Sequence, residues 1–274
     1  MTGRFFDALR AAGLEPEKNL DLPDGKLVRY RVVGDKAGSR NGWAVLHQHP
    51  ILAGAFGSWK TGESHTWQAT QFSSLDPSAR AELQRQRQAM QQARAEDEAK
   101  VRAEAAAKAA RLWERARPAT DAHPYLERKQ VRAYGLRQLR DMLLIPARDE
   151  HGQLHTLQFI GADGAKRFLT GGRIRGCYCA IGRPAEVLLI CEGYATAATL
   201  HQATGYATAA AFSAGNLEPV ARALRAKFPR LALVLAADND HATPGNPGLT
   251  AALAAARAVG GRVAVPTFPE VAHG

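Results

Sequence analysis

The sequence has few cysteines and no long apolar run. Its three cysteines, Cys177, Cys179 and Cys191, form no CxxC pair. That spacing argues against a zinc ribbon and against a disulfide framework, and a sparse, odd set is typical of a reducing compartment. No apolar run approaches the roughly 20 residues that a membrane span needs, and the first residues, MTGRFFDALRAAG, lack the apolar core of a signal peptide. We therefore expect a soluble, cytoplasmic protein with no membrane partner.

Acidic residues are also scarce relative to basic ones. The chain has 26 Asp and Glu against 36 Lys and Arg, for a formal net charge of +10 and a pI near 9.8. A charge of this sign and size favours a polyanionic partner, although it carries no information about the fold. Hydrophobic residues make up 46% of the 274 positions, which is enough to build the core of one large domain or two modest ones.

Two apolar segments that end in acidic residues organise the second half of the chain. EVLLICEG spans 186–193 and LALVLAADND spans 231–240, with short Ala-rich helical segments between and around them. This alternation predicts a parallel sheet with crossover helices, so the predicted fold class is α/β, mixed α+β over the whole chain. In such sheets ligands bind beyond the carboxyl ends of the strands, where Glu192, Asp238 and Asp240 are predicted to converge.

Three converging carboxylates predict a metal site. Close carboxylates repel, and one stays protonated unless a cation neutralises them. Mg²⁺ prefers hard oxygen ligands and commonly takes phosphate as a further partner. Each acid alone has an alternative explanation as a polar loop residue after a buried strand. The joint pattern of a strand ending in Glu192-Gly193 and a second strand followed by Asp238 and Asp240 favours the metal site.

These segments resemble a known fold. ICEGYATAATL and LVLAADND, followed by His241, the sequence GNPG and an Ala-rich helix, are similar to the Toprim fold of bacterial-type primases, topoisomerases and some nucleases. The subtype that they most resemble is the primase-like Toprim proteins of conjugative plasmids, integrative elements and phages. The resemblance covers residues 120–270 and, more loosely, the N-terminal part.

The resemblance implies a DNA primase-like nucleotidyltransferase, which synthesises short primers on a single-stranded DNA template from nucleoside triphosphates. In that family an acidic cluster holds Mg²⁺ or Mn²⁺ for phosphoryl transfer, which depends on positioning and charge neutralisation. By that analogy Asp238 and Asp240 hold the metal, and Glu192 ligates it or acts as a general acid or base. A replicative helicase or a single-strand-binding protein is the implied protein partner.

A basic segment with several glycines precedes the acidic strands. It has no acid between residues 166 and 183, and its basic residues are Lys166, Arg167, Arg173, Arg175 and Arg183. Basic side chains among flexible glycines suit the close approach of a phosphate backbone, and an ordinary basic surface hairpin is the alternative. The segment from Lys166 to Leu169 also resembles the K-[YF]-L segment of bacterial-type primases. We expect contacts to template or nucleotide from Lys166, Arg167, Arg173 and Arg175.

Four regions are predicted along the chain. They are a small β-rich domain at 1–75, a long helical connector at 76–117, a basic subdomain at 118–184 and the Toprim domain at 185–274. The tryptophans of the first region, Trp43, Trp59 and Trp67, are either its core or platforms on which single-stranded bases stack.

The predicted connector is polar nearly all round and has almost no helix breaker. This pattern predicts a helix of roughly 40 residues, about 60 Å long if straight. Helices of this kind usually bridge domains in solvent. Large apolar residues are few, so we expect the connector to dock only near Leu112 and Trp113.

The sequence departs from the resembled primases after its last predicted strand. Those proteins carry a further acidic stretch there, whereas this chain ends PTFPEVAHG, with Glu270 as the one late carboxylate, and has no helicase domain. We expect either a truncated product or a metal site without an outer ligand. Two other functions therefore stay open. One is a Toprim nuclease, which a DNA cleavage assay would identify, and the other is a non-catalytic single-strand-binding module without metal.

Overall fold

The computed structural model describes residues 3–48, 52–69, 77–238, 243 and 245–266. It divides the chain into two compact units, Met1–Lys100 and Val101–Gly274. The α-helices are α1 (Gly3–Ala11), α2 (Pro77–Arg115), α3 (Pro124–Lys129), α4 (Tyr194–Thr204), α5 (Leu217–Lys227) and α6 (Pro247–Val259). The strands are β1 (Val28–Tyr30), β2 (Gly42–His47), β3 (Ala53–Ser58), β4 (Ser64–Gln68), β5 (Arg117–Pro118), β6 (Arg137–Leu139), β7 (Met142–Arg148), β8 (Leu154–Ile160), β9 (Lys166–Phe168), β10 (Cys179–Ile181), β11 (Val187–Cys191), β12 (Ala207–Ala210), β13 (Ala232–Ala236) and β14 (Arg262–Ala264).

The first unit is an antiparallel sheet in the order β1-β2-β3-β4, with helical residues on each face. Side chains alternate along β2, so Trp43 and Leu46 point to opposite faces. Leu46 packs in one cluster with Phe5 and Leu9 of α1. Trp43 packs in another cluster with Met90 of α2. The unit therefore buries two apolar layers, one on each side of the sheet.

Trp43 is a core residue of this unit. Only 1% of its surface is exposed, and the guanidinium carbon of Arg94 lies 5.0 Å from the centre of its ring. Trp59 packs beside it, with ring centres 5.8 Å apart, and Trp67 packs against Phe5 on the other face, with ring centres 5.4 Å apart. A ring as buried as Trp43 cannot stack on a nucleic-acid base, so the core interpretation is correct for this tryptophan.

Helix α2 docks in more places than the sequence predicts, and the expectation that it docks only near Leu112 and Trp113 is wrong. Leu83 and Met90 are buried near its start, and Ala109 is buried further on. Leu112 and Trp113 do pack at its end, beside the antiparallel sheet of the second unit. Leu83 and Met90 are about two turns apart and so share one face, which lets two apolar residues anchor a polar helix. Across the described ranges, no helix is long and apolar enough to cross a membrane.

The second unit contains two sheets of five strands each in the described part of the chain. The first is antiparallel in the order β5-β6-β7-β8-β9, and the second has the order β10-β12-β11-β13-β14. In the second sheet β11, β12, β13 and β14 run parallel, and β10 pairs antiparallel at one edge. The predicted parallel sheet with crossover helices is therefore confirmed.

Strand β11 is buried on both faces of this sheet, which explains its uninterrupted apolar sequence. Leu188 and Ile190 belong to the core cluster that α5 and α6 form on one face. Cys191 points to the opposite face, where it packs in a cluster with Tyr194 of α4 and Ile145 of β7. The antiparallel sheet thus closes part of that second face.

The two sheets of the second unit are also joined through the backbone. Arg148, at the end of β7, and Tyr178, just before β10, form an isolated antiparallel bridge. Arg148 donates its N–H to the Tyr178 carbonyl over 3.0 Å, and Tyr178 donates in return over 2.8 Å. This bridge holds the basic segment between β9 and β10 beside the parallel sheet.

Candidate functional site

Two of the three predicted acids lie at the ends of neighbouring parallel strands. β11 pairs with β13 in a register that sets Ile190 opposite Leu235. Glu192 follows β11 directly and Asp238 lies just beyond β13, so both half-buried residues lie at the carboxyl edge of the sheet. Paired strands are about 4.8 Å apart, which places the two backbone segments side by side.

Both acids also lie near the buried thiol of Cys191. Burial raises the pKa of this thiol, and the nearby charges of Asp238 and Glu192 raise it further. Two carboxylates in one region repel each other unless a cation lies between them, and carboxylate oxygens are the ligands that hard divalent cations prefer. The side chains at this edge therefore fit a hydrated divalent metal ion.

The third predicted acid, Asp240, lies outside the residues that the structure describes, as does Glu270. Over the described ranges alone, no group of three or more His, Cys, Asp or Glu side chains is placed to hold a metal ion. Glu192 and Asp238 therefore form the described part of the predicted site. Its completion by Asp240 stays a prediction.

Strand β9 places two of the predicted basic residues on opposite faces. Lys166 and Phe168 share one face and Arg167 has the other, because side chains alternate along a strand. The guanidinium carbon of Arg167 lies 5.2 Å from the centre of the Phe159 ring on the neighbouring strand. Phe168 contacts Phe212 edge to face, with ring centres 5.4 Å apart. Adjacent basic residues thus have different surroundings.

Phe212 links this basic strand to the acidic edge of the parallel sheet. Its backbone N–H donates to the carbonyl oxygen of Glu192 over 2.6 Å. Its φ of 74° lies in the left-handed region, which bulky side chains rarely adopt. Lys166 is exposed, and it lies on the face of β9 that Phe168 turns toward this contact. Lys166 therefore lies on the same face of β9 as the ring contact between Phe168 and Phe212.

Arg173 is engaged by the hairpin that precedes it. Its Nη2 atom lies 3.2 Å from Oδ2 of the buried Asp149 and 2.8 Å from Nε2 of His155. Burial by itself would raise the pKa of Asp149, but hydrogen bonds from His155 and from the backbone N–H groups of Gln153 and His151 lower it below 3.8. Arg173 thus neutralises a buried carboxylate, and a contact with nucleic acid stays a prediction for it.

Arg175 is exposed at the corner of a tight turn. Cys177 closes the turn by donating its N–H to the carbonyl of Ile174 over 2.8 Å, and Gly176 has a φ of 75° that favours glycine. The side chain of Asn216 reaches this turn from the start of α5. The sequence SAGN predicts a turn with a helix N-cap, and Asn216 occupies the cap position without a side-chain capping bond.

Asn216 and Phe212 were not predicted as site residues. Asn216 lies 40 positions after the glycine that it contacts, so no local pattern pairs them. The sequence feature that could have indicated Asn216 is its place as a polar residue between two buried segments, β12 and α5. The conformation of Phe212 leaves no signal in its residue type, because phenylalanine is not favoured at positive φ.

Paired acids beyond adjacent strands of a mostly parallel sheet are the arrangement that the Toprim resemblance implies. Residues 186–267 match the family model described as the Toprim domain. The chain therefore contains a Toprim domain, as its motifs predict.

Two curated relatives match nearly the whole chain, and both are described as DNA primase TraC of Escherichia coli. One is 40% identical over 278 residues and the other 38% identical over 280, each covering 96% of this chain. The chain spans 26% and 19% of the lengths of these relatives. The primase fragment of the bacteriophage T7 primase-helicase protein, a solved structure, matches 57% of this chain and 69% of its own, with 14% identity and a TM-score of 0.43. The match to the Toprim family model and the two curated relatives confirm the predicted resemblance to primase-like Toprim proteins.

Proposed function

We propose that this chain is the core of a DNA primase-like nucleotidyltransferase, which synthesises short primers on single-stranded DNA from nucleoside triphosphates. The observation that carries the proposal is the placement of Glu192 and Asp238 at adjacent strand ends, with β9 held beside them through Phe168 and Phe212. The names of the two relatives, which this chain matches over 96% of its length, support the same activity here.

A divalent cation is part of the proposal. Glu192, Asp238 and Asp240 would hold Mg²⁺ or Mn²⁺ through their carboxylate oxygens. When bound, such an ion neutralises phosphate charge and orients the reacting groups for phosphoryl transfer. The two described acids suit this role because each follows one of two paired parallel strands, at the same edge of the sheet. Glu192 would also be placed to take a proton from an attacking hydroxyl.

Basic side chains of the second unit would neutralise and orient the phosphates. Lys166, Arg167 and Arg175 are exposed. Arg167 also lies over the Phe159 ring, and Arg173 pairs within its own hairpin. Residues 101–274 contain 22 Lys and Arg against 14 Asp and Glu, but residues 1–100 contain 14 against 12. The charge that attracts a polyanion is thus concentrated in the unit that carries the acids. A replicative helicase or a single-strand-binding protein is the proposed protein partner.

Primer synthesis on single-stranded DNA, with labelled ribonucleotides and Mg²⁺, tests the proposal. Asp238→Asn and Glu192→Gln are expected to reduce synthesis by about 100-fold or more, as the loss of a group that stabilises transition-state charge does. Glu218→Gln is the matched control, because Glu218 is a carboxylate of the same domain that pairs with Arg222 on α5. It is expected to leave synthesis unchanged.

The outcomes separate the other functions. Undiminished synthesis by Asp238→Asn would contradict the proposed site. Cutting of the DNA without synthesis, lost in the same variants, would assign a nuclease. Binding of DNA with neither reaction, unchanged in the variants and without added metal, would assign a single-strand-binding module.

A further inference from the structure

We propose that Asn216 is a positioning residue, which holds the Arg175 turn at the acidic edge so that Arg175 contacts a phosphate of the substrate. This inference rests on the proposed function, because the phosphate belongs to the DNA template or to the nucleoside triphosphate that this function requires. Asn216 itself touches no substrate and acts through Arg175.

The amide of Asn216 binds most of the backbone of that turn. Gly176 donates its N–H to Oδ1 over 2.8 Å. Nδ2 lies 3.1 Å from the carbonyl oxygen of Ile174 and 3.0 Å from that of Cys177. The backbone of the turn is thus bound on its inner side, and the side chain of Arg175 is left exposed at the corner.

The same amide is tied to the acidic edge of the sheet. Nδ2 also lies 2.8 Å from the carbonyl oxygen of Ala211. Ala211 in turn donates its N–H to the carbonyl of Cys191 over 2.8 Å, and the next residue, Phe212, donates to that of Glu192 over 2.6 Å. A short series of hydrogen bonds therefore connects the backbone beside Arg175 to the backbone of a predicted metal ligand.

Burial makes this connection rigid. Asn216 is 4% exposed, and a buried amide whose hydrogen bonds are lost is costly, so the side chain has few alternative positions. The turn that it holds contains a glycine at φ 75°, and such a segment has high conformational freedom when it is not held. A turn that is ordered before binding presents Arg175 to a phosphate without a further loss of backbone entropy.

A double-mutant cycle in binding tests this role. The affinity of the full chain for a fluorescent oligo(dT) and, separately, for a fluorescent nucleoside triphosphate is measured with Mg²⁺ over a range of salt. The proteins are wild type, Arg175→Gln, Asn216→Ala and the double variant. Arg175→Gln is expected to lower affinity about fivefold in one arm, with a salt slope for oligo(dT) reduced by about one if the phosphate is that of DNA. The arm that responds identifies the source of the phosphate.

Coupling between the two residues is the expected result. Asn216→Ala should reproduce most of the effect of Arg175→Gln, and the double variant should bind no more weakly than Arg175→Gln alone. Losses that add in the double variant would overturn the proposal. Wild-type affinity of Asn216→Ala, or of Arg175→Gln in both arms, would overturn it as well.

Thr208→Val is the matched control for a general loss of stability. Thr208 is also buried in the Toprim domain, and its Oγ1 donates to the carbonyl of Ala197 over 3.1 Å, away from the Arg175 turn. We expect it to bind as wild type, and equal weakening would overturn the proposal. If Asn216→Ala fails to fold, Asn216→Asp replaces it in the cycle, because it fills the same space and retains the acceptor for Gly176 but loses the donors.

Binding requires no catalysis, so a chain that makes no primers still tests Asn216. If the chain makes no primers but the losses in the double-mutant cycle are not additive, the proposed function is wrong and the positioning role of Asn216 stands. If the chain makes primers normally but the losses of affinity add in the double variant, the positioning role is wrong and the proposed function stands.

Discussion

Phe212 donates its backbone N–H to the carbonyl oxygen of Glu192 over 2.6 Å from a left-handed conformation with a φ of 74°. That conformation costs an L-residue about 1–2 kcal/mol, and here the ring of Phe212 also contacts the ring of Phe168 edge to face. Backbone strain of this kind is concentrated at functional sites. In this protein it lies beside a predicted metal ligand.

Phe212→Gly is expected to be more stable than Phe212→Ala by about 1 kcal/mol, because glycine adopts positive φ without strain and alanine does not. Both variants lose the contact with Phe168, so their difference isolates the backbone. Glycine is the less stable of the two at most positions. Urea unfolding of the two variants measures the difference, and an alanine variant of equal or greater stability would show that the backbone here is unstrained.

Lys166→Gln and Arg167→Gln should affect nucleic-acid binding differently, since the two side chains lie on opposite faces of β9. Lys166→Gln is expected to weaken oligonucleotide binding and to lower the salt slope by about one. Arg167→Gln should change the slope less and reduce stability by about 0.5–1 kcal/mol, through the lost contact with Phe159. Fluorescence anisotropy over a salt series measures both slopes. A larger change of the salt slope in Arg167→Gln than in Lys166→Gln would show that the nucleic acid contacts the opposite face of β9.

Asp149→Asn is expected to make stability less sensitive to acid. The pKa of Asp149 is lowered in the folded chain, so its carboxylate stabilises the fold above its ordinary pKa of 3.8, and that contribution is lost as the pH falls through the folded value. At pH 7 the variant should be less stable by about 1–2 kcal/mol. Thermal unfolding from pH 7 down to pH 2 should show the two proteins converging. A constant difference across that range would contradict the ion pair with Arg173 and the hydrogen bond with His155.

Trp43→Ala is expected to destabilise the first unit by about 3–5 kcal/mol, because it removes a fully buried ring from beneath α2. Oligonucleotide affinity should not change under conditions where the variant is folded. A stacking platform would behave in the opposite way, with a loss of about 1–3 kcal/mol of binding per base and little loss of stability. Urea unfolding and anisotropy on the same samples distinguish the two.

The position of Glu192 and Asp238 at one edge of the sheet could be predicted because a strand that is buried on both faces has a continuous apolar sequence. β11 and β13 are nearly continuous apolar runs, and each run is interrupted where the strand leaves the core, at Glu192 and Asp238. Parallel strands then bring those positions to one edge. The family resemblance added the chemistry of that edge, which the burial pattern alone does not contain.

Contacts that depend on distant surfaces could not be predicted. Leu83 and Met90 are isolated apolar residues in a polar helix, and both are buried by residues distant in the sequence, which for Met90 include Trp43 and Val45 of the sheet. The link from Asn216 to the Arg175 turn crosses 40 positions. The different surroundings of Lys166 and Arg167 follow from strand alternation, but only once β9 is known to be a strand.

The exchanged hydrogen bonds of Arg148 and Tyr178 join the two sheets, which has a consequence for which gene fragments encode a folded product. A gene fragment that encodes only residues 186–267 would lack β10, so β12 would become an unpaired sheet edge. The face of α4 that packs with Ile145 would then meet water. A fragment that encodes a folded product is therefore expected to carry both sheets together, with its boundary upstream of β5.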